Sequence, residues 1–137
     1  MIDIVVLNQT VVTEYSVRLF GEIGEISEYV ELLDLLSSAE EHDAIKLIVS
    51  GPGGHFETAV ALASAIKACA APVCGELLGT AASASAMILL ACDTIEVAPA
   101  SRLMLHIYSG GSAGVGLNPQ KDMVSVHAMF KEYMYEY

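Results

Sequence analysis

Short apolar runs of strand length alternate with small-residue helical stretches along this chain, and a glycine or proline closes most of them. Ile2–Leu7 and Ser16–Phe20 read as strands, the second stopping at Gly21. Ser27 is the expected N-cap of an amphipathic helix reaching about Glu41, with Glu28 and Glu31 in its first turn. Ile45–Val49 is a third strand, ended by Gly51-Pro52-Gly53-Gly54. An alanine-rich helix follows from Phe56 to Ala70, then a strand at Val73–Leu77. Gly79 is expected to open a turn into a second small-residue helix, Ala82–Ala91. Thr94–Val97 and Leu103–Ile107 read as strands separated by Pro99, and Asn118-Pro119 opens a last helix. Strands that alternate with crossover helices imply a mostly parallel sheet covered by helices, an α/β fold. In such sheets ligand sites gather at the carboxyl ends of the strands. Two glycine-marked segments fall at such ends, Gly51–Gly54 and Gly79–Ser83.

The length of 137 residues suits one domain over residues 1–137, with no repeat or linker. Composition narrows the class further. Apolar residues make up 54% of the chain and the mean hydropathy is +0.54, so apolar surface must be buried in a membrane or between subunits. The longest uncharged stretch, Leu77–Cys92, has 16 residues and is too short and too polar for a membrane span. Subunit contacts are therefore the expectation. The N-terminus has no basic signal region, and the three cysteines, Cys69, Cys74 and Cys92, fit no zinc spacing. They read as reduced thiols of a cytoplasmic protein, with no metal and no cofactor. A net charge of −11 without a basic stripe argues against nucleic acid as partner.

Ser83 stands where a strand-to-helix turn is expected, among Ala81, Ala82, Ala84 and Ala86. Small neighbours let a peptide backbone approach the hydroxyl, and unpaired N–H groups at a helix start suit a developing oxyanion. A serine hydroxyl needs a base to become a nucleophile. His106, at the end of an apolar strand, fits that role by pattern, and His55 beside the glycine turn is a weaker rival. His42 and His127 fall on polar helix positions. The backbone around Gly53-Gly54 offers further N–H donors. The G-x-S-x-G signature of many hydrolases is absent. By themselves such residues are more often a helix cap, a structural histidine and a chain reversal, and a hydrolase is only one option.

Three segments in fixed order resemble the Clp proteolytic subunit from about Val17 onward. Lys46–Gly54, KLIVSGPGG, is similar to that family's strand and SPGG turn. Gly79–Ser83, GTAAS, is similar to its GQAAS nucleophile motif. Ala98–His106, APASRLMLH, is similar to its LPNSRVMIH histidine strand. Phage head-maturation proteases of the same superfamily also carry an AAS motif, and VRLFGEIGE looks more like theirs. The resemblance implies a crotonase-like ββα spiral with a C-terminal handle helix. It implies Ser83 as nucleophile, His106 as general base, and the N–H groups of Gly54 and Ala84 as the oxyanion hole. Gly110, Gly111, Ser112, Ala113 and Gly114 would pair with the substrate backbone as an added strand. Ser85 stands where the family has glycine and is not the nucleophile. The substrate would be a peptide or unfolded protein, held inside stacked homo-oligomeric rings and delivered by an ATP-driven AAA+ unfoldase.

The family's catalytic Asp would fall after Tyr137, where this sequence ends. Asp122, Glu132 and Glu136 are the acids that follow His106, and none matches the motif. The expectation is therefore weak turnover, because the acid normally fixes the histidine's tautomer and orientation. The alternatives are an impaired subunit that modulates a complete relative, and a crotonase-type enzyme acting on an acyl-CoA thioester.

Overall fold

The computed structural model describes residues 2–9 and 12–105. Ten elements follow one another: β1 (Ile2–Gln9), β2 (Thr13–Phe20), a single 3-10 turn (Ile26–Tyr29), α1 (Val30–Ser38), β3 (Ala44–Gly51), α2 (Phe56–Ala68), β4 (Val73–Ala82), α3 (Ala84–Leu90), β5 (Thr94–Val97) and β6 (Arg102–Met104). Met1–Met104 form one compact unit.

The strands make one sheet in the order β1-β2-β3-β4-β5, with β6 also on β4. β1 and β2 are an antiparallel pair, and every other pairing is parallel. A parallel neighbour needs a crossover, and α1, α2 and α3 supply those between β2, β3, β4 and β5. The mixed α/β fold with a mostly parallel sheet is thus the one the alternation of runs implies.

Burial alternates along the strands. On β3, Ile45, Leu47 and Val49 are buried while Lys46, Ile48 and Ser50 are half-buried. Val17 and Leu19 of β2, and Val73 and Leu77 of β4, extend the same buried face. Leu32, Leu36, Leu62, Ile66, Ile88 and Leu89 of the helices complete the core. Each such side chain contributes about 1.5–3 kcal/mol through burial. Alanines set how closely the layers approach. Ala59 and Ala63 of α2 are fully buried, and α3 is buried nearly all round from Ala84 to Leu89. Gly75 lies under α3, where an added Cβ would meet Leu89 Cδ1 at 2.8 Å and Cys92 Sγ at 2.9 Å. Asp93 ties the end of α3 to the start of β4: its Oδ2 accepts the Val73 N–H at 2.7 Å, and its own N–H donates to the Val73 carbonyl at 2.8 Å.

Two local expectations are corrected. Ser27 caps no helix, because it lies inside the 3-10 turn, and α1 follows from Tyr29 without a side-chain cap. α1 also ends at Ser38 rather than near Glu41. Glu40 is turned out of the helix by Asp43, whose Oδ2 accepts the Glu40 N–H at 2.8 Å. The second correction concerns Gly79. β4 does not stop there but runs on to Ala82. The pairing with β3 jumps from Val49↔Leu77 to Gly51↔Ala81, so the extra residues on β4 form a bulge. Gly79 carries the positive φ of +73° that the bulge requires.

The bulge lets β4 change partners. Its first half pairs with β5, from Cys74↔Thr94 to Leu77↔Val97, and its last residues pair with β6, from Thr80↔Arg102 to Ala82↔Met104. Ser101 holds the junction. Its hydroxyl donates to the Leu77 carbonyl at 3.1 Å and accepts the Gly79 N–H at 3.2 Å.

Candidate active site

β4 delivers the chain to Ser83 at its carboxyl end. Ser83 has φ 53° and ψ −120°, a region non-glycine residues rarely occupy, at a cost of about 1–3 kcal/mol. The backbone turns sharply there and α3 begins at the next residue. Two hydrogen bonds hold the turn: the Ser83 N–H donates to the Met104 carbonyl at 3.0 Å, and the Ser83 carbonyl accepts the Met87 N–H at 3.0 Å. Ser83 is half-buried, between buried Ala82 and Ala84. A strained strand-to-helix turn that presents a serine is the geometry behind the G-x-S-x-G signature. Here Ala81 and Ser85 occupy the two glycine positions of that pattern, so the geometry is present although the motif is not. Small size is what the positions demand: Ala81 is fully buried, and Ser85 Oγ lies 3.2 Å from where a Cβ on Gly51 would stand.

The second glycine segment closes on this turn. Gly53 has φ +108°, and a Cβ there would meet Ser83 Cβ at 2.9 Å, the Ala82 carbonyl at 3.0 Å and the Ala84 nitrogen at 3.3 Å. Only glycine allows this approach. On the other side the segment is gripped by residues 21–25. Gly21 N–H donates to the Ser50 carbonyl at 2.9 Å, Ile23 N–H to the Gly53 carbonyl at 2.7 Å, and His55 N–H to the Ile23 carbonyl at 2.9 Å. These bonds make Ile23↔Gly54 a parallel bridge. In a trans peptide the C=O and the following N–H point in opposite directions. With the Gly53 carbonyl held by Ile23, the Gly54 N–H is aimed away from Ile23. Ala84 is the first residue of α3, so no helical carbonyl reaches its N–H.

The structure thus brings Ser83, Ala84, Gly53 and Gly54 together at the carboxyl ends of β3 and β4. His106 and Gly110–Gly114 lie outside the described residues, as do His127, Asp122, Glu132 and Glu136. His55 is the N-cap residue before α2 and turns to Glu25, with Nε2 3.7 Å from Oε1 on the exposed surface. His42 is likewise at the surface, between Glu40 and Asp43. Ser85 is 1% exposed and its hydroxyl has no hydrogen-bond partner among the described residues, so no substrate reaches it.

The thiols are not part of this site. Burial pushes Cys92 up to about 12 and also raises Cys69, which keeps both protonated and unreactive near neutral pH. Among the described residues no group of His, Cys, Asp or Glu is arranged to hold a metal, and no helix is long and apolar enough to cross a membrane. Sequence reading missed Thr58 and Tyr29. The Thr58 hydroxyl donates to the Gly24 carbonyl at 2.8 Å, and the Tyr29 hydroxyl accepts the Gly24 N–H at 2.9 Å. A buried polar residue on an apolar helix face was the available signal for Thr58.

A mostly parallel sheet with a strained serine turn at the carboxyl end of β4 defines the class. The architecture is similar to that of a mutant ClpP1 from Listeria monocytogenes, with a TM-score of 0.71 and 25% sequence identity, over 88% of this chain and 70% of that one. Residues 5–133 match the family described as Clp protease. The chain belongs to the Clp protease family, a family of serine peptidases.

Proposed function

We propose that this protein is a Clp-type serine endopeptidase subunit in which Ser83 attacks the peptide carbonyl. His106 takes the serine proton and returns it to the leaving amine. The N–H groups of Gly54 and Ala84 stabilise the oxyanion, and Gly110–Gly114 pair with the substrate backbone. The observation that carries this reading is the strained Ser83 turn pressed against Gly53, with the Gly54 N–H aimed away from its Ile23 clamp. The role of His106 draws support from β6. Met104, whose carbonyl accepts the Ser83 N–H, precedes His106 by two residues in the sequence.

Residues 1–137 act as one peptidase domain in this reading, assembled in stacked rings in the cytoplasm and fed by an ATP-driven unfoldase. Support for assembly comes from exposed apolar side chains. Phe20, Leu78, Ile95, Val97 and Leu103 are each at least 40% exposed, and contacts between subunits would take them out of water. Sedimentation at micromolar concentration should give a species several times 14.5 kDa.

The activity test is hydrolysis of a fluorogenic peptide by the wild type beside Ser83→Ala and His106→Ala. Each substitution should cost about a hundredfold or more. Hydrolysis that survives Ser83→Ala would refute the assignment. A folded wild-type oligomer that hydrolyses nothing would favour a non-catalytic, modulating subunit.

A further inference from the structure

We propose that Thr58, acting with Tyr29, is a positioning residue that aims the Gly54 N–H, and that residues 21–25 are the strap through which it acts. The inference rests on the reading of Gly54 as an oxyanion donor and adds what holds that donor in place.

Gly24 lies at the centre of the strap. Its N–H and its C=O are both satisfied by side chains, the first by Tyr29 and the second by Thr58. Neither partner is a surface group: Thr58 is 2% exposed and Tyr29 4% exposed. They come from different elements, the 3-10 turn and the first turn of α2. Gly24 is therefore held from two directions. The residue before it, Ile23, makes both bonds of the bridge to the Gly53 carbonyl and the His55 N–H. The planar Gly53–Gly54 peptide cannot rotate while Ile23 grips its oxygen, so its N–H keeps one direction. Preorganised donors of this kind accelerate acyl transfer because they need not reorient as charge develops.

Glycine makes the clamp necessary. Gly53 and Gly54, both at positive φ, have few steric limits of their own, and the peptide between them would otherwise sample several orientations. The strap also explains a polar Thr58 on the buried face of α2 beside Ala59 and Leu62. A hydroxyl buried there costs stability unless it is bonded, and its bond goes to the strap rather than to its own helix.

The test compares Thr58→Val, which keeps shape and loses the hydroxyl, with Thr58→Ser, which keeps the hydroxyl. Three readouts are needed: the rate of Ser83 phosphonylation by a fluorophosphonate, kcat and KM on a fluorogenic peptide, and amide hydrogen exchange at Ile23 and His55. Thr58→Val should speed exchange at both amides. It should also slow phosphonylation and lower kcat by roughly tenfold to a hundredfold, with little change in KM. Thr58→Ser should recover most of the rate. Tyr29→Phe should act in the same direction as Thr58→Val. If wild-type Ser83 is not phosphonylated, the assignment of the site fails and the positioning role fails with it. If the wild type reacts and Thr58→Val reacts equally fast, with or without a lower melting temperature, the site stands and the strap inference alone is overturned.

Discussion

The two glycine-marked segments of this chain look alike in sequence and do different work. Gly51–Gly54 ends its strand, and the segment after β3 leaves the sheet to lie against Ser83. Gly79 ends nothing. It bends β4 through a bulge and lets the strand continue three residues to Ala82. One segment brings backbone N–H groups to the serine. The other changes the partner of β4 from β5 to β6, the strand that leads to His106. A glycine between apolar runs is thus compatible with a stop or with a change of partner. The difference lies in whether another strand waits beyond it.

The contrast can be broken at either segment, and the first should be the more sensitive. Gly53→Ala puts a methyl against Ser83 Cβ and the Ala82 carbonyl at a φ of +108°. Backbone atoms cannot step aside as a flexible side chain can. Peptidase activity should fall at least about a hundredfold, and stability by more than about 1 kcal/mol. Wild-type kinetics in this variant would show that Gly53 does not pack on Ser83.

Gly79→Ala meets little but Ser50 Oγ at 3.3 Å, so its cost is conformational, about 1–2 kcal/mol for positive φ. Thermal melting should detect it, and activity should fall by less than in Gly53→Ala. Ser101→Ala removes both bonds that staple the bulge. Because Gly79 is exposed, water can replace its partner, and the loss should be about 0.5–1.5 kcal/mol. If Ser101→Ala proves more damaging to activity than Gly53→Ala, the bulge rather than the glycine clamp governs the site.

The lower half of β4 offers a control remote from chemistry. Cys92 packs under Gly75, and its thiol is pushed up to about 12 by burial. The folded state therefore holds a proton that the unfolded state releases near its ordinary value of 9.0. The stability this contributes is complete below pH 9 and is lost as pH rises from there toward about 12. A Cys92→Ala variant should show a flatter decline of melting temperature over that window, and an unchanged slope would contradict the burial. The smallest effect belongs to Ser85→Ala. Its hydroxyl is buried without a partner, so removal should be neutral or stabilising by up to about 1 kcal/mol, with peptidase activity retained.

Much of this was legible because it depends on local pattern. The apolar strand Ile45–Val49, the break at Gly51–Gly54, and the small residues around Ser83 can all be read along the chain. The bulge at Gly79 was not legible, since its bond partner Ser101 lies 22 residues away. Ser27 matched a helix-cap pattern yet sits inside a 3-10 turn, where Gly24, bonded locally to the Tyr29 hydroxyl and at long range to that of Thr58, fixes the chain instead. The serine turn was half legible. Its residue types were suggestive, but the usual motif was missing because alanine and serine are small enough to stand for its glycines. Thr58 stood out only as a polar residue on an apolar helix face; its partner Gly24, 34 residues away, was not legible.

The most direct test asks which serine reacts. Ser83 and Ser85 are two residues apart, one on a strained, half-buried turn and the other sealed beneath it. Treating the protein with a fluorophosphonate and mapping the adduct by tandem mass spectrometry separates them. The account predicts a single adduct on Ser83, abolished in Ser83→Ala and retained in Ser85→Ala. An adduct on Ser85, or equal labelling of Ser83→Ala and the wild type, would contradict it.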